Sequence, residues 1–186
     1  MKRRIGTVLA VCALLLPLAS CKFLSGPDYE LIITVEAGVA GSPASGVYSY
    51  KDLSEVDYAY TPQNAQHTVE AVIDGARSKA EDTLTVYHRT TLVARVIDIR
   101  GTWNVTSYDT DAKETTFDLT FSGADVLGGT FSDSRGYSGT WSGAANELVI
   151  TYGNWEAYVY SGTLFNMGGT WANGSAAGTW SASRAN

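Results

Sequence analysis

The feature that most constrains the fold of this chain is a glycine-threonine-aromatic unit that recurs through its second half. Gly-Thr-Trp stands at 101–103, 139–141, 169–171 and 178–180, and Gly-Thr-Phe stands at 129–131. In a β-strand the glycine and the aromatic residue share one face, and the threonine between them points to the other. Threonine suits an exposed strand position, whereas an aromatic ring favours burial. The unit therefore predicts short strands whose rings are buried, with the glycines leaving room for rings on neighbouring strands.

Residues 101–186 contain eight short segments of this alternating kind, divided by turn sequences such as Asn173-Gly174. Eight short strands in sequence order that share one apolar face bury that face most simply by closing into a meander barrel. Residues 28–99 alternate in the same way, but all five tryptophans lie at or beyond position 103. We therefore predict an all-β chain: a small antiparallel β module at 28–99, followed by an eight-stranded up-and-down barrel at 101–186.

The first of these regions resembles a bacterial surface repeat. The stretches LIITVEAGVAGSPASGVYSYKDLSEVDYAYTP and TLTVYHRTTLVARV are similar to the repeats related to internalin-type B-repeats, and the resemblance covers roughly residues 30–98. That resemblance implies an extracellular β module that serves as a spacer or an adhesive unit and has no chemistry of its own.

The N-terminal segment predicts export and lipid attachment. Residues 1–20 combine Lys2, Arg3 and Arg4 with an apolar stretch too short to span a bilayer comfortably. The residues Leu18-Ala19-Ser20-Cys21 resemble the lipobox of bacterial lipoproteins, which implies cleavage after Ser20 and acylation of Cys21. Residues 21–27 are then the lipidated N-terminus and its tether. Because Lys22 is not the aspartate that retains many lipoproteins at the inner membrane, we expect lipid anchoring to the cell envelope at the outer membrane.

The net charge of the chain limits the kinds of partner that it is expected to bind. Without residues 1–20 the chain keeps 10 Lys and Arg against 19 Asp and Glu, a net charge of −9. Such a balance argues against nucleic acid as a partner and against electrostatic binding to anionic membranes. The membrane is expected as a partner only through the N-terminal lipid.

The start of the barrel carries a second resemblance. Gly101-Thr102-Trp103 is similar to the Gly-x-Trp signature of the lipocalin and avidin group of barrels. In that group an arginine on or after the last strand often crosses the tryptophan of the first strand. The resemblance implies that Arg184 stacks on Trp103 and closes one end of the barrel.

The sequence offers no catalytic constellation, and we expect no cofactor and no metal site. His67 and His88 are far apart in sequence and have no acidic partner at a characteristic spacing. Two functions remain open: a non-enzymatic envelope protein acting as an interaction or structural module, or a lipocalin-like carrier of a small apolar or aromatic ligand. In a carrier, Trp155, Tyr158 and Tyr160 are the candidate ligand-binding residues; otherwise the two tyrosines complete the core. A protein partner is also open.

Overall fold

The structure is a computed structural model that describes residues 26–153 and 158–185. Residues 1–20, Cys21 and Trp155, on which the lipid-attachment prediction and part of the ligand prediction rest, lie outside the described residues. Within the described ranges the chain is all-β, as predicted, and no helix there has the length and apolarity to cross a bilayer.

The strands of the first half are β1 (Asp28–Val35), β2 (Val39–Ser42), β3 (Gly46–Lys51), β4 (Ser54–Pro62), β5 (Val69–Ile73), β6 (Ala76–Ser78), β7 (Glu81–Val86) and β8 (Thr90–Val96). Those of the second half are β9 (Gly101–Asp109), β10 (Glu114–Ser122), β11 (Gly128–Asp133), β12 (Ser138–Ala144), β13 (Glu147–Tyr152), β14 (Val159–Thr163), β15 (Gly168–Asn173) and β16 (Ala176–Arg184).

Strands β9 to β16 form a closed antiparallel barrel, which confirms the predicted eight-stranded up-and-down topology. Each strand pairs with its neighbours in sequence, and β16 pairs with β9 to complete the ring. The register of the closing pair sets Arg184 opposite Trp103. Closure removes the unpaired strand edges that an open sheet of this size would expose.

The recurring glycines lie opposite aromatic residues of neighbouring strands, as the sequence predicts. In the β11–β12 hairpin Gly139 pairs with Phe131, and in the β15–β16 hairpin Gly178 pairs with Trp171. A Cβ atom on Gly139 would stand 2.8 Å from the Phe131 ring, and one on Gly178 would stand 2.6 Å from Nε1 of Trp171. These glycines therefore supply the space that the rings occupy.

The first half contains two sheets that pack face to face. One has the order β3-β1-β8-β5-β6 and the other has the order β2-β4-β7. Their inner faces share one core, which includes Leu31, Leu92, Val56, Tyr58 and Tyr60.

The antiparallel pairing predicted for this module is wrong at one place, because β1 and β8 pair in parallel, with Leu31 opposite Thr90. The chain crosses between the two sheets several times before β8, so β8 returns beside β1 in the same direction. Val39–Ser42 forms the short strand β2 at the edge of the smaller sheet.

The connection between the halves also contributes to the barrel core. Ile97 and Ile99 are 4 % and 0 % exposed and pack with the barrel residues. Nε1 of Trp103 donates a hydrogen bond of 2.7 Å to the carbonyl oxygen of Ile99. The two halves are also in contact at the β12–β13 turn, where the backbone amide of Asn146 donates a hydrogen bond of 2.6 Å to Oγ1 of Thr68. The connection thus packs against one end of the barrel and covers it.

Candidate functional site

The barrel has two ends of different character. At the linker end, defined by the start of β9 and the end of β16, lie Ile99, Trp103 and Arg184. At the mouth, defined by the β9–β10 and β11–β12 turns, lie Asp109 and Arg135. Each end brings together some of the residues that the sequence singles out.

At the linker end the structure brings Arg184 against Trp103. The guanidinium carbon lies 5.4 Å from the ring centroid, within cation–π range. Nη1 donates to the carbonyl oxygen of Asp98 at 3.4 Å, and Nη2 donates to the carbonyl oxygen of Arg100. The arginine therefore ties the last barrel strand to the first strand and to the connection before it.

The two candidate ligand-binding tyrosines pack within the barrel's aromatic core. Tyr160 is fully buried, and its ring meets that of Trp180 edge to face at 5.8 Å. Tyr158 is half-buried near the mouth and stacks on Trp171, with centroids 5.4 Å apart and planes inclined by 16°. Burial raises the pKa of the Tyr160 hydroxyl, and the neighbouring Tyr158 raises this pKa further. Tyr160 therefore stays neutral at physiological pH.

The mouth contains a buried ion pair that the sequence reasoning missed. The Asp133 side chain is 0 % exposed, and its Oδ2 accepts hydrogen bonds from Nη2 of Arg135 at 2.7 Å and from the Tyr152 hydroxyl at 3.2 Å. Oδ1 of Asp133 accepts hydrogen bonds from the backbone amides of Arg135 and Tyr137, each at 2.9 Å. Four partners of this kind offset the cost of burying the carboxylate.

Arg135 is held on its other side by an aromatic ring. Its guanidinium carbon lies 3.6 Å from the centroid of Phe117. Burial lowers the pKa of Arg135, but the hydrogen bond to Asp133 and the charge interactions with Tyr152, Asp133 and Tyr160 together outweigh burial, so the net pKa is raised. The sequence does hold a signal for this pair: Asp133 follows Phe131 by two positions, so it shares the inward face, although the segment Asp133-Ser134 has turn composition.

A cleft of about 180 Å³ opens above this pair, and it is the mouth of the barrel. Its lining residues are Ser107, Asp109, Lys113, Thr115, Arg135, Tyr158 and Trp171. Pockets that bind small molecules usually measure about 300–1,000 Å³. The cleft is therefore smaller than the usual small-molecule site, and most of its lining residues are polar.

Both histidines lie in segments between strands, His67 just before β5 and His88 just before β8. Nε2 of His88 lies 3.8 Å from Oδ2 of Asp74, and Nδ1 of His88 lies 3.2 Å from Oγ1 of Thr90. The Thr90 hydroxyl is on a residue only 2 % exposed, and it donates to the carbonyl oxygen of His88 at 3.1 Å. This arrangement stabilises the turn before β8. In the part of the chain that the structure describes, no group of three or more His, Cys, Asp or Glu side chains is placed to hold a metal ion.

Comparison with protein-family models, with curated proteins and with solved structures finds no match for this chain. The resemblances drawn from the sequence therefore remain predictions. Function has to be argued from the packing of the barrel and from the chemistry at its two ends.

Proposed function

We propose that this chain is a non-enzymatic protein of the bacterial cell envelope, anchored by a lipid on Cys21, whose barrel is a solid structural and interaction module. The observation that carries the proposal is the filling of the barrel interior. Residues from every barrel strand and from the connection form one buried cluster: Ile97, Ile99, Trp103, Val105, Phe117, Leu119, Phe121, Phe131, Trp141, Leu148, Ile150, Tyr152, Tyr160, Leu164, Met167, Trp171 and Trp180.

The packing of that interior disfavours a carrier. Four tryptophans are at most 8 % exposed, and each aromatic side chain contributes about 150–250 Å² of buried surface. The linker end is covered by Ile97 and Ile99, and the mouth offers about 180 Å³ of mostly polar space. A carrier of a small apolar or aromatic ligand needs an apolar void, and the packing of the described residues argues against one.

The proposed anchor fits the start of the fold. β1 begins at Asp28, so six residues separate Cys21 from the first strand. Extended chain spans at most ~3.3–3.6 Å per residue, so this tether reaches roughly 20 Å. A protein held so close to the membrane surface, and carrying a net charge of −9 without residues 1–20, presents its outward faces as the surfaces available to a partner. The placement at the outer membrane is part of the same proposal.

The anchor is tested by replacing the cysteine. The full chain, Cys21→Ala and the matched control Cys12→Ala are expressed in a bacterium and compared for incorporation of labelled palmitate and for membrane fractionation. We expect labelling and membrane attachment in the wild type and in Cys12→Ala, and neither in Cys21→Ala. Labelled, membrane-bound Cys21→Ala would contradict the proposal.

The solid barrel is tested separately on the membrane-extracted chain. Native mass spectrometry is expected to show the mass of the lipidated protein without a bound small molecule, and iodide is expected to quench the tryptophan emission only weakly. An apolar molecule that co-purifies with the protein and is lost in Tyr160→Ala would support the carrier instead.

A further inference from the structure

A larger cleft lies at the linker end, outside the barrel and between the two halves of the chain. Its volume is about 390 Å³, and it is lined by Glu70, Arg77, Arg95, Ile97, Asp98, Trp103, Ala182, Ser183 and Arg184. That volume falls within the range of small-molecule sites, which are common at junctions between folded units. The cleft differs from the mouth in size, in place and in charge.

The floor of this cleft is apolar and its rim is charged. Ile97 and Trp103 are 4 % and 5 % exposed, and Ala182 packs beside them. Around them stand three arginines and two carboxylates. An apolar floor with a few convergent charged groups is the usual composition of a site for a small organic ligand.

The rim arginines are held in place by a buried carboxylate. Glu70 is 3 % exposed, and its Oε1 accepts a hydrogen bond of 3.0 Å from Nε of Arg95. Its Oε2 pairs with Nε of Arg77, whose Nη2 also donates to the carbonyl oxygen of Leu164 at 3.3 Å in the barrel. One buried negative charge thus positions two guanidinium groups, so that this cluster carries an excess of positive charge.

The other carboxylate of the rim is also engaged. Nη2 of Arg100 lies 2.6 Å from Oδ2 of Asp98, and hydrogen bonding from Arg100 lowers the pKa of Asp98. Arg184, in contrast, forms no ion pair with a carboxylate within the described residues, since its hydrogen bonds go to backbone carbonyl oxygens. Among the same residues, none accepts a hydrogen bond from Nη1 of Arg95, whose side chain is 40 % exposed. The rim therefore keeps cationic donors for a ligand.

A neighbouring cleft of about 260 Å³ shares Arg95, Asp98 and Arg184 but adds Glu36. There the two carboxylates balance the two arginines. By the same count the larger cleft, with three arginines and two carboxylates, carries an excess of positive charge in a chain whose formal net charge is −6. Local positive charge in an acidic protein attracts an anion to one place.

We propose that the larger cleft binds a small organic anion, whose carboxylate or phosphate group is held by Arg95 and Arg184 and whose apolar body lies on Ile97, Trp103 and Ala182. The planar guanidinium fork matches both kinds of anionic group. The inference goes beyond the proposed function and is independent of the lipid on Cys21.

The test is calorimetric titration of the full chain, extracted in a neutral detergent, with four probes: benzoate, phenyl phosphate, inorganic phosphate and benzyl alcohol. We expect benzoate or phenyl phosphate to bind and to change the tryptophan emission, because Trp103 forms part of the floor. Inorganic phosphate lacks the apolar body, and benzyl alcohol lacks the anionic group. Each should therefore bind about tenfold more weakly or worse, the loss expected when one apolar contact or one charged hydrogen bond is missing. No binding of either aromatic anion, or equal binding of benzyl alcohol, overturns the proposal.

Variants separate binding from folding. Arg184→Gln and Arg95→Gln should each weaken the aromatic anion by about tenfold or more, whereas Arg89→Gln, an arginine just before the strand of Arg95 with a 70 % exposed side chain paired to Glu30, should leave it unchanged. Circular dichroism establishes which variants fold. If Arg95→Gln does not fold, the affinity of Arg184→Gln alone decides the test. Unchanged affinity in a folded Arg184→Gln, or an equal loss in Arg89→Gln, overturns the proposal.

Discussion

Arg184, the last residue of the last barrel strand, lies directly opposite Trp103 of the first strand, with its guanidinium carbon 5.4 Å from the ring centroid. The same side chain donates to backbone carbonyl oxygens of the connection before the barrel. One residue therefore joins both edges of the closing seam to the segment that covers this end.

Replacing Arg184 by alanine should lower the stability of the full chain. Loss of the cation–π contact and of the hydrogen bonds to the connection should cost about 1–2 kcal/mol, seen as a lower Tm in circular dichroism. Arg184→Lys keeps a cation near Trp103 and should lose less. Arg89→Ala removes only an exposed ion pair and should lie close to the wild type. An unchanged Tm in Arg184→Ala would show that the seam does not depend on this contact.

Adding one methyl group at Gly178 should disturb the barrel interior. The new Cβ would clash first with the carbonyl oxygen of Tyr108 and would also stand 2.6 Å from Nε1 of Trp171. Overpacking of this kind should cost about 1–3 kcal/mol in the free energy of unfolding, measured by denaturant titration. Gly153→Ala is the matched control, because the nearest contact of its Cβ among the described residues would be the carbonyl oxygen of Ser138 at 3.5 Å. Equal stability of the two variants would contradict the role of Gly178 as space for the ring.

Asp133→Asn should destabilise the mouth of the barrel. The substitution removes the negative charge that pairs with Arg135 and leaves this cation over Phe117 without compensation. Breaking a buried pair costs about 3–5 kcal/mol, and the lower end applies because the Arg135 side chain is 32 % exposed. Asp118→Asn, on the exposed face of β10, should change the free energy of unfolding by less than about 0.5 kcal/mol. Comparable effects of the two substitutions would indicate that the buried pair contributes little.

Alkaline pH should weaken the first module through Tyr60. Burial, together with the nearby Tyr48 and Tyr58, raises the pKa of the Tyr60 hydroxyl from 10.0 to about 12. Between these two pH values the unfolded chain releases a proton that the folded chain keeps, so stability is fully present below pH 10 and falls as pH rises through about 12. Denaturant titrations across this window should show a shallower decline in Tyr60→Phe than in the wild type.

Tyr87→Phe is the control for that titration, because the Tyr87 side chain is 58 % exposed. It should retain the wild-type decline with pH. An identical pH dependence in Tyr60→Phe and the wild type would place the alkaline sensitivity elsewhere in the molecule.

Period-two alternation was sufficient to predict the barrel, because its pairings are between neighbours in sequence. Phe117, Leu119 and Phe121 share the inward face of β10, as the pattern requires. The parallel pairing of β1 with β8 could not be obtained in this way. It joins Leu31 to Thr90 within one sheet although the two residues are far apart in the sequence, and no local pattern specifies which distant strand becomes a neighbour.

The site was predictable only in part, for a similar reason. The Arg184–Trp103 contact follows from a resemblance at the two ends of the barrel sequence. Asp133 was missed because an aspartate followed by serine has the composition of a turn, and only its inward register distinguishes it. The arginine-lined cleft depends on how the halves meet, which alternation within either half does not encode.

The seam between β9 and β16 has a consequence for how the molecule is made. Of the barrel strands, β9 is synthesised first and β16 last. The edge of β9 that pairs with β16 therefore stays unpaired until that nine-residue strand has been made. Until then this edge is open to wrong partners, including another nascent copy. A truncation that removes β16 would therefore leave an open sheet prone to aggregation and not a slightly shorter barrel.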